Sequence, residues 1–383
     1  MEKKTIWLWF MVCSLVFFVL VAMISIFVLK PSQAETEKLF DIREQDQEQV
    51  LPLGLDDGVT SSVKQVEAVQ IEGQPTQRVR IKAVGDMMLD RTVYLHTQRA
   101  NNFNFPFERI KDFLVDADIT VGNLEGAITD FKSISNGTGG QRFYFTFSPK
   151  FVDPLTTYFD VVSYANNHAN NFGKEGLAQS RNYMDESGLT YFGDPNNDVG
   201  HLSTVIEKNG IRFGFVGFHE LVGFGFSDVI EEVKNLDTTT DIVIVYPHWG
   251  YEYVTANPSK AQKQEGHSLI DAGADIVIGT HPHVIQPIEI YKDKLIFYSL
   301  GNFIFDQYFS EETQQGLALD ILAEKRDNTI ALGYTLIPIR ISDVSQPFVA
   351  EKEEADAILS IIAQNSVVTS TVKEQIKIGQ VKL

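Results

Sequence analysis

Polar side chains that can bind a metal ion follow five apolar runs of the sequence. The clearest case is the β-branched run 274–278, which reads as a buried strand and leads into Gly279-Thr280-His281-Pro282-His283. If Pro282 bends the chain, the imidazoles of His281 and His283 point toward one space, which suits a shared or dinuclear metal site. An isolated His-x-His pair is often merely exposed in a loop, so the other four runs carry much of the argument.

The ends of those four runs offer carboxylate, amide and imidazole groups. The candidates are Asp86 after 79–84, Asn123 and Glu125 after 117–121, Asn167 and His168 after 160–163, and His248 after 241–246. Each also has a plainer interpretation, since an aspartate can cap a turn and asparagines can satisfy a tight loop. Together with His281 and His283 they form an oxygen-plus-imidazole set, which favours Mn, Fe, Zn or Mg over a thiolate-bound metal. His168 is also a candidate general acid.

Two further residues are candidates for substrate binding. Arg91 follows Asp86 closely and could hold an anionic group through both guanidinium nitrogens, although a surface ion pair is the plainer interpretation. Asn302 follows the strand-like run 295–298 and is expected near the same cleft.

The pattern of elements predicts how these residues are brought together. Apolar strands alternate with helical segments, and polar residues stand at successive strand ends, which is typical of a layered α/β fold. Because ligands of such folds bind at the carboxyl ends of the strands, we expect one cleft at that edge of the sheets.

Composition excludes some classes of partner. The chain of 383 residues has a formal net charge of −19, which opposes nucleic-acid binding because phosphate backbones require clustered Lys and Arg. The only cysteine is Cys13, so no intramolecular disulfide can form and redox catalysis is not expected.

The amino terminus predicts a membrane anchor. Residues 5–29 carry no charge and would span roughly 37 Å as a helix, which is enough to cross a bilayer. Lys3 and Lys4 precede this segment, whereas Glu35 and Glu37 follow it. The positive-inside rule then keeps the amino terminus in the cytoplasm, and we expect a single-pass protein of the cell membrane with an extracellular carboxyl-terminal domain.

A cleaved signal peptide is the alternative, because residues 32–34 resemble a small-x-small cleavage site, but the apolar run exceeds the usual length of about 7–15 residues. The predicted organisation is a cytoplasmic tip and transmembrane anchor (1–30), a polar acidic stalk (31–77), the main domain (78–345), and a carboxyl-terminal helix and tail (346–383).

Six motifs in this order resemble the CapA family of poly-γ-glutamate capsule biosynthesis proteins, itself similar to the calcineurin-like metallophosphoesterases. The resemblance covers about residues 80–306. Its motifs are Gly85-Asp86-Met87-Met88-Leu89-Asp90-Arg91, Gly122-Asn123-Leu124-Glu125-Gly126, Ala165-Asn166-Asn167-His168, His248-Trp249-Gly250-Tyr251-Glu252-Tyr253, Gly279-Thr280-His281-Pro282-His283 and Ser299-Leu300-Gly301-Asn302-Phe303.

This resemblance implies a metallophosphoesterase-like four-layer α-β-β-α sandwich holding one or two divalent ions. It implies that Asp86 and His283 bind the first ion, that Asn167, His248 and His281 bind the second, and that His168 protonates the leaving group. The partners that it implies are the membrane, polyglutamate polymer or its precursor, and the subunits of a membrane-bound polyglutamate synthase.

The chain departs from the phosphoesterase pattern at three positions. The Asp-x-His pair reads Asp86-Met87-Met88, so one imidazole is replaced by a thioether, which is a poor ligand for hard divalent ions. Asn123, with Glu125 nearby, replaces the bridging aspartate, and Asn171 replaces an acidic residue after Ala-Asn-Asn-His.

Three interpretations of function follow. The first is an anchored metal-dependent hydrolase or transferase that acts on capsule polymer or its precursor. The second is a non-catalytic accessory subunit that binds the polymer for the synthase. The third is a metal-dependent phosphoesterase unrelated to capsule.

Overall fold

The computed structural model describes residues 76–135, 143–327 and 329–383, and the structural statements below concern these residues. No helix among them is long and apolar enough to cross a membrane. The predicted transmembrane segment 5–29 lies outside the described residues, as does nearly all of the predicted stalk, so both stay predictions.

Seventeen strands and eight α-helices make up the described part of the chain. The strands are β1 (Gln77–Met87), β2 (Ile119–Leu124), β3 (Ala127–Ile128), β4 (Thr146–Phe147), β5 (Val161–Ser163), β6 (Thr190–Phe192), β7 (Ser203–Lys208), β8 (Ile211–His219), β9 (Ile242–His248), β10 (Ile276–Ile278), β11 (Ile288–Tyr291), β12 (Lys294–Phe297), β13 (Asn302–Ile304), β14 (Gln315–Arg326), β15 (Thr329–Ile341), β16 (Pro347–Val349) and β17 (Gln380–Lys382). The helices are α1 (Arg91–Ala100), α2 (Lys111–Val115), α3 (Val152–Tyr158), α4 (Gly173–Ser187), α5 (Phe226–Thr239), α6 (Lys260–Asp271), α7 (Lys352–Asn365) and α8 (Ser370–Lys377).

The described strands form two mixed sheets and one short pair. Sheet 1 has the order β16-β15-β14-β1-β2-β5-β6, with β13 parallel to β1 and β17 antiparallel to β15. Sheet 2 has the order β11-β12-β10-β9-β8-β7, and its four central strands are parallel. Strands β3 and β4 pair with each other. The predicted α/β fold is confirmed, with mixed sheets.

The core lies in three layers of apolar contact, which place the two sheets face to face. One cluster joins β1, β2, β14 and β15 of sheet 1 to β8, β9, β10 and β12 of sheet 2. A second joins the other face of sheet 1 to α1–α4, and a third joins the other face of sheet 2 to α5 and α6. The resulting layers are helix, sheet, sheet and helix.

Strand β9 shows how the sequence produces this layering. Ile242, Ile244 and Tyr246 belong to the cluster between the sheets, whereas Val243 and Val245 belong to the cluster under the helices. A strand alternates its side chains between two faces, so a run that is apolar at every position is buried on both.

The carboxyl-terminal residues contain more structure than the predicted helix and tail. Helices α7 and α8 place Ile358, Ile362 and Ile376 in the cluster between the sheets, and β17 pairs with β15. The described residues after 345 therefore share a core with the residues before it.

Candidate metal centre

The strand register of sheet 1 sets three predicted residues side by side. Asp86 of β1 is paired with Asn302 of β13 on one side and with Asn123 of β2 on the other. The register shifts next to Asp86 in both pairings, as in a β-bulge, which re-aims a side chain at a strand end. Gly85 permits this close approach, because an added Cβ would lie 1.9 Å from the carbonyl oxygen of Gly301.

Sheet 2 delivers its histidines at the same edge. His248 ends β9 and forms an isolated bridge with Thr280, the residue before His281. The imidazole rings of His248 and His281 lie 4.7 Å apart between centroids, and those of His281 and His283 lie 5.9 Å apart. The backbone N–H of His281 donates to Asp86 Oδ2 at 3.2 Å, which brings the two sheets' strand ends together.

The turn that holds His281 and His283 is conformationally unusual. Both residues have positive φ, 93° and 58°, which is a backbone conformation that residues other than glycine rarely adopt. Such strain persists where the surroundings fix it and is often found at functional sites. The sequence predicted a bend at Pro282, and the structure shows it at the residues on either side.

The ring of His283 is oriented by hydrogen-bond acceptors on one of its two nitrogens. Its Nδ1 lies 3.0 Å from Asn302 Oδ1 and 3.2 Å from Asp86 Oδ2, both of which can accept its proton. Nε2 is then the free ligand atom, and it faces Glu125 Oε1 at 3.6 Å. In a metal-binding histidine, a hydrogen bond from one ring nitrogen commonly fixes the tautomer and the ring orientation, so that the other nitrogen binds the metal.

Glu125 is fully buried beside a second buried carboxylate. Asn123 Nδ2 donates to Asp86 Oδ1 at 2.8 Å and to Glu125 Oε2 at 3.3 Å, so this amide links the two carboxylates. Burial, and after it the charge of Asp86, raises the pKa of Glu125 well above its usual value. A cation between these groups would remove both penalties.

The donor atoms form two adjacent groups, each with three atoms within 4.8 Å of one another. The buried donor group consists of Asp86, Glu125 and His248, and the outer donor group consists of Glu252, His281 and His283. Within the described residues, Glu125 Oε1 and His281 Nδ1 are buried without a hydrogen-bond partner. Buried polar atoms are normally paired, so these two unpaired atoms fit a cation site of oxygen and nitrogen donors.

Two predicted ligands, both asparagines, contact other residues of the site through their amide groups. Asn167 Oδ1 lies 3.0 Å from His248 Nε2 and is close enough to share an ion with that residue. Asn123 turns its NH₂ group toward the carboxylates, while its Oδ1 accepts a hydrogen bond from Asn166 at 3.1 Å. In this arrangement Asn123 donates hydrogen bonds to candidate ligands, and its own ligand role stays a prediction.

Electrostatics keeps the imidazoles neutral and able to bind metal. Burial, followed by the neighbouring histidines, lowers the pKa of His248 and His281 well below the usual value. A neutral imidazole is the form that ligates divalent ions.

His168 stands beside this group. Its ring packs on Phe145 with centroids 4.2 Å apart, its Nδ1 lies 3.0 Å from Asn171 Oδ1, and its Nε2 lies 3.8 Å from Glu125 Oε1. Because the Asn171 oxygen can only accept, Nδ1 carries the proton and Nε2 faces the carboxylate. Burial lowers the pKa of His168 to about 4, so the residue is neutral near pH 7, and its predicted role as an acid stays a prediction.

The predicted substrate residues are already engaged. The guanidinium of Arg91 pairs with Asp306 and lies over the rings of Phe145 and Phe305. The amide of Asn302, which is buried, holds His283 and donates to Gln307 and to the Thr313 carbonyl oxygen. These contacts are those of groups that orient the site, and substrate binding by Arg91 and Asn302 stays a prediction.

Sequence reasoning assigned no role to Glu252, Asn166 or Thr280. Glu252 lies inside one quoted motif, but nothing in its spacing indicates that its carboxylate returns to His281 and His283. Asn166 holds Asn123, and the Thr280 hydroxyl lies 3.1 Å from His248 Nδ1. These contacts join segments far apart in the chain, so spacing could not reveal them.

Comparisons with known proteins agree with the sequence motifs. The family described as bacterial capsule synthesis protein PGA_cap matches residues 80–307, which is more than half of the chain. The sequence is 28% identical over 304 residues to a protein of Bacillus anthracis named capsule biosynthesis protein CapA, covering 74% of this chain and 72% of that one. It is 30% identical over 251 residues to the PGA biosynthesis protein CapA of Bacillus subtilis (strain 168), covering 61% of this chain and 65% of that one.

Solved structures are more distant. A calcineurin-like phosphoesterase of Bacillus subtilis aligns with 13% identity and a TM-score of 0.42, covering 79% of this chain and all of that one (100%). At this distance the likeness carries no conclusion about activity.

Proposed function

Because the chain belongs to the bacterial capsule synthesis protein PGA_cap family, we propose that it acts in poly-γ-glutamate capsule synthesis or export through a divalent-metal cleft. In this proposal residues 5–29 anchor the protein in the cell membrane, and the metal-binding domain lies outside the cell. Its partners are polyglutamate or a precursor and the subunits of a membrane-bound polyglutamate synthase.

One observation carries the proposal: the family match over residues 80–307 includes every residue of the cleft. Two relatives that carry capsule or PGA biosynthesis in their names align over most of this chain. The orphaned atoms of Glu125 and His281 support a cation in that cleft.

The residues have distinct parts in this proposal. Asp86, Glu125, His248, His281 and His283 would hold one or two of the ions Mn²⁺, Zn²⁺, Fe²⁺ or Mg²⁺. When bound, such an ion supplies Lewis acidity to a phosphoryl or carbonyl centre. These five residues are themselves buried.

The proposal is tested by replacing two ligands in the full-length protein. A strain that lacks the gene is complemented with wild type or with the His281→Ala, His283→Ala double variant. We expect the double variant to reach the membrane but to lose bound metal and most surface polyglutamate, because both imidazoles serve the cleft. His201→Ala is the matched control, since His201 lies partly exposed on the short turn Val199–His201.

Polymer yield that stays unchanged after the metal is lost would overturn the metal-dependent part of the proposal. That outcome would favour the second candidate, a non-catalytic accessory that binds polymer. The amide of Asn123, which faces the two carboxylates with its NH₂ group, is the observation that keeps this candidate in view.

A further inference from the structure

A surface turn brings a carboxylate to the opening of the cleft. The rim turn, residues 250–253, directly follows the ligand candidate His248 and Trp249. One carboxylate oxygen of Glu252 and one ring nitrogen each of His281 and His283 lie within 4.8 Å of one another. Glu252 is exposed, whereas both histidines are buried.

The backbone of the rim turn is fixed at both ends. Gly250 has a φ of 82°, its N–H donates to Glu220 Oε2 at 2.6 Å, and an added Cβ would lie 2.5 Å from the Gln262 side chain. At the other end, the Tyr253 N–H donates to the Pro282 carbonyl oxygen at 2.8 Å. The turn is therefore bonded directly to the peptide between the two histidines.

Tyr253 is itself held in an unusual conformation. Its φ is 63°, its hydroxyl accepts a hydrogen bond from Gln307 at 3.1 Å, and its ring lies 5.1 Å from that of Phe309 and 6.1 Å from that of His283. Positive φ at a residue with a bulky side chain is costly and persists only where neighbouring contacts impose it. These contacts keep the preceding residue, Glu252, over the cleft.

A buried polar atom with no partner points to a ligand at this place. His281 is 3% exposed, and among the residues that the structure describes its Nδ1 has no hydrogen-bond partner. An unpaired imidazole nitrogen at a buried site is rare unless a bound group satisfies it. The outer donor group therefore contains a histidine with an unpaired buried nitrogen, a second imidazole and an anionic oxygen.

We propose that Glu252 is a metal ligand that completes, with His281 and His283, an outer cation position next to the buried one of Asp86, Glu125 and His248. Glu252 is the only anionic member of the outer donor group, whereas the buried donor group has two carboxylates. Without Glu252, an ion at the outer position would have two neutral imidazoles as its only ligands from this group, and no negative charge of the group would attract it. The proposal deepens the metal cleft proposed above and rests on it.

The geometry allows this coordination with small movements. Donors bonded to one ion at about 2.1 Å lie about 3.4 Å apart in a tetrahedral arrangement. The three atoms lie within 4.8 Å of one another, so they need to approach by at most about 1.4 Å. The Glu252 side chain is exposed, which gives it room for that adjustment. With three protein ligands, the outer ion keeps positions open to solvent, where the carboxylate or phosphate of a substrate can bind.

The test counts ions in the full-length protein purified in detergent and stripped with a chelator. Mn²⁺ or Zn²⁺ is titrated by calorimetry, and the bound metal is counted by mass spectrometry. We expect two ions in wild type, and in Glu252→Gln either one ion or a second ion bound at least 10-fold more weakly. Glu231→Gln is the control, because it removes the same charge from the exposed face of α5 and should leave both ions.

Two results would overturn the proposal: a wild-type protein that binds one ion, or a Glu252→Gln variant that binds both ions as tightly as wild type. Manganese electron paramagnetic resonance gives a second measurement, since two neighbouring Mn²⁺ ions show a spin-coupled signal that should disappear in Glu252→Gln. These measurements do not depend on polymer yield. A failure of the capsule proposal, seen as unchanged polymer after loss of His281 and His283, therefore stays distinguishable.

Discussion

At the scale of single residues, Asn171 performs two tasks with one amide oxygen. It lies 3.0 Å from His168 Nδ1 and accepts the backbone N–H of Phe145 at 2.7 Å. The second contact gives the Phe145 N–H a side-chain partner in place of a neighbouring strand, and β4 is only Thr146–Phe147. His168 is thus oriented by a neutral group.

We predict that Asn171→Asp raises the pKa of His168 from about 4 by roughly one to three units. A carboxylate beside Nδ1 favours the charged imidazolium through its negative charge, whereas the amide present offers a hydrogen bond alone. Nuclear magnetic resonance of the labelled imidazole in metal-free protein measures the change. Asn170→Asp adds the same charge one residue earlier and should move the pKa much less. An unchanged His168 pKa in Asn171→Asp would contradict the orientation inferred here.

The titration of Glu265 gives a pH-dependent prediction. Burial, and after it the charge of Glu220, raises the pKa of Glu265 to about 7, and among the described residues its Oε2 has no hydrogen-bond partner. A carboxyl group whose pKa is higher in the folded state stabilises the protein below its unfolded pKa of 4.5. This contribution is lost as the pH rises through about 7.

Glu265→Gln should therefore raise the free energy of unfolding at pH 8 by about 1 kcal/mol, a value reduced to allow for partial solvent exposure. At pH 4 the variant and wild type should be equally stable, because both side chains are then neutral. Denaturant titrations at the two pH values test this. An equal gain at both would show that the effect is not electrostatic.

At the scale of elements, the ends of the strands are held by close backbone approaches. Gly279 follows β10 and leads into the histidine turn, and an added Cβ there would lie 2.0 Å from the Tyr298 carbonyl oxygen. Gly333 of β15 offers a comparison, since an added Cβ would meet nothing within 4 Å.

We predict that Gly279→Ala lowers the free energy of unfolding by about 2–4 kcal/mol, because a backbone atom must move to admit the methyl group. Gly333→Ala should be neutral or stabilising by about 0.5–1 kcal/mol, since alanine costs less conformational entropy in a strand. Chemical denaturation compares the two. Equal stability of the variants would show that the packing at Gly279 relaxes easily.

The elements also show what the sequence could predict. Apolar runs gave the strands, and polar residues at their ends indicated the cleft, because both properties are local. The register between strands is not a local property. The register that pairs Asp86 with Asn123 and Asn302 includes a shift, as in a β-bulge, that no sequence motif indicates. Glu252 was missed for the same reason, since its approach to His283 depends on a turn conformation.

At the scale of the whole molecule, the two sheets both contribute candidate metal ligands to the cleft, in addition to packing against each other. Asp86 and Asn123 belong to sheet 1, whereas His248 ends a strand of sheet 2 and His281 follows another. The sequence pattern indicated a layered α/β fold. That two sheets face each other was predicted only from the resemblance to a known family. Which strands face each other depends on packing between distant segments, so a local pattern could not supply it.

A cation in the cleft should therefore stabilise both sheets together. Ligands that bind only the folded state add RT ln(1 + [L]/Kd), which is about 2.7 kcal/mol when the free ion is at 100 times its dissociation constant. We predict that Mn²⁺ or Zn²⁺ raises the melting temperature and that a chelator reverses the change. The His281→Ala, His283→Ala variant should show little of this shift, and His201→Ala should show all of it.

Hydrogen exchange locates that stabilisation. Because the ligands come from the ends of β1 and β2 in sheet 1 and of β9 and β10 in sheet 2, bound metal should slow amide exchange at all four strand ends. An ion held by one sheet alone would protect only that sheet's strand ends, and such a one-sided pattern would contradict a centre shared between the layers. The metal would then add nothing to the contacts that join the two sheets, and metal removal would leave their mutual stability unchanged.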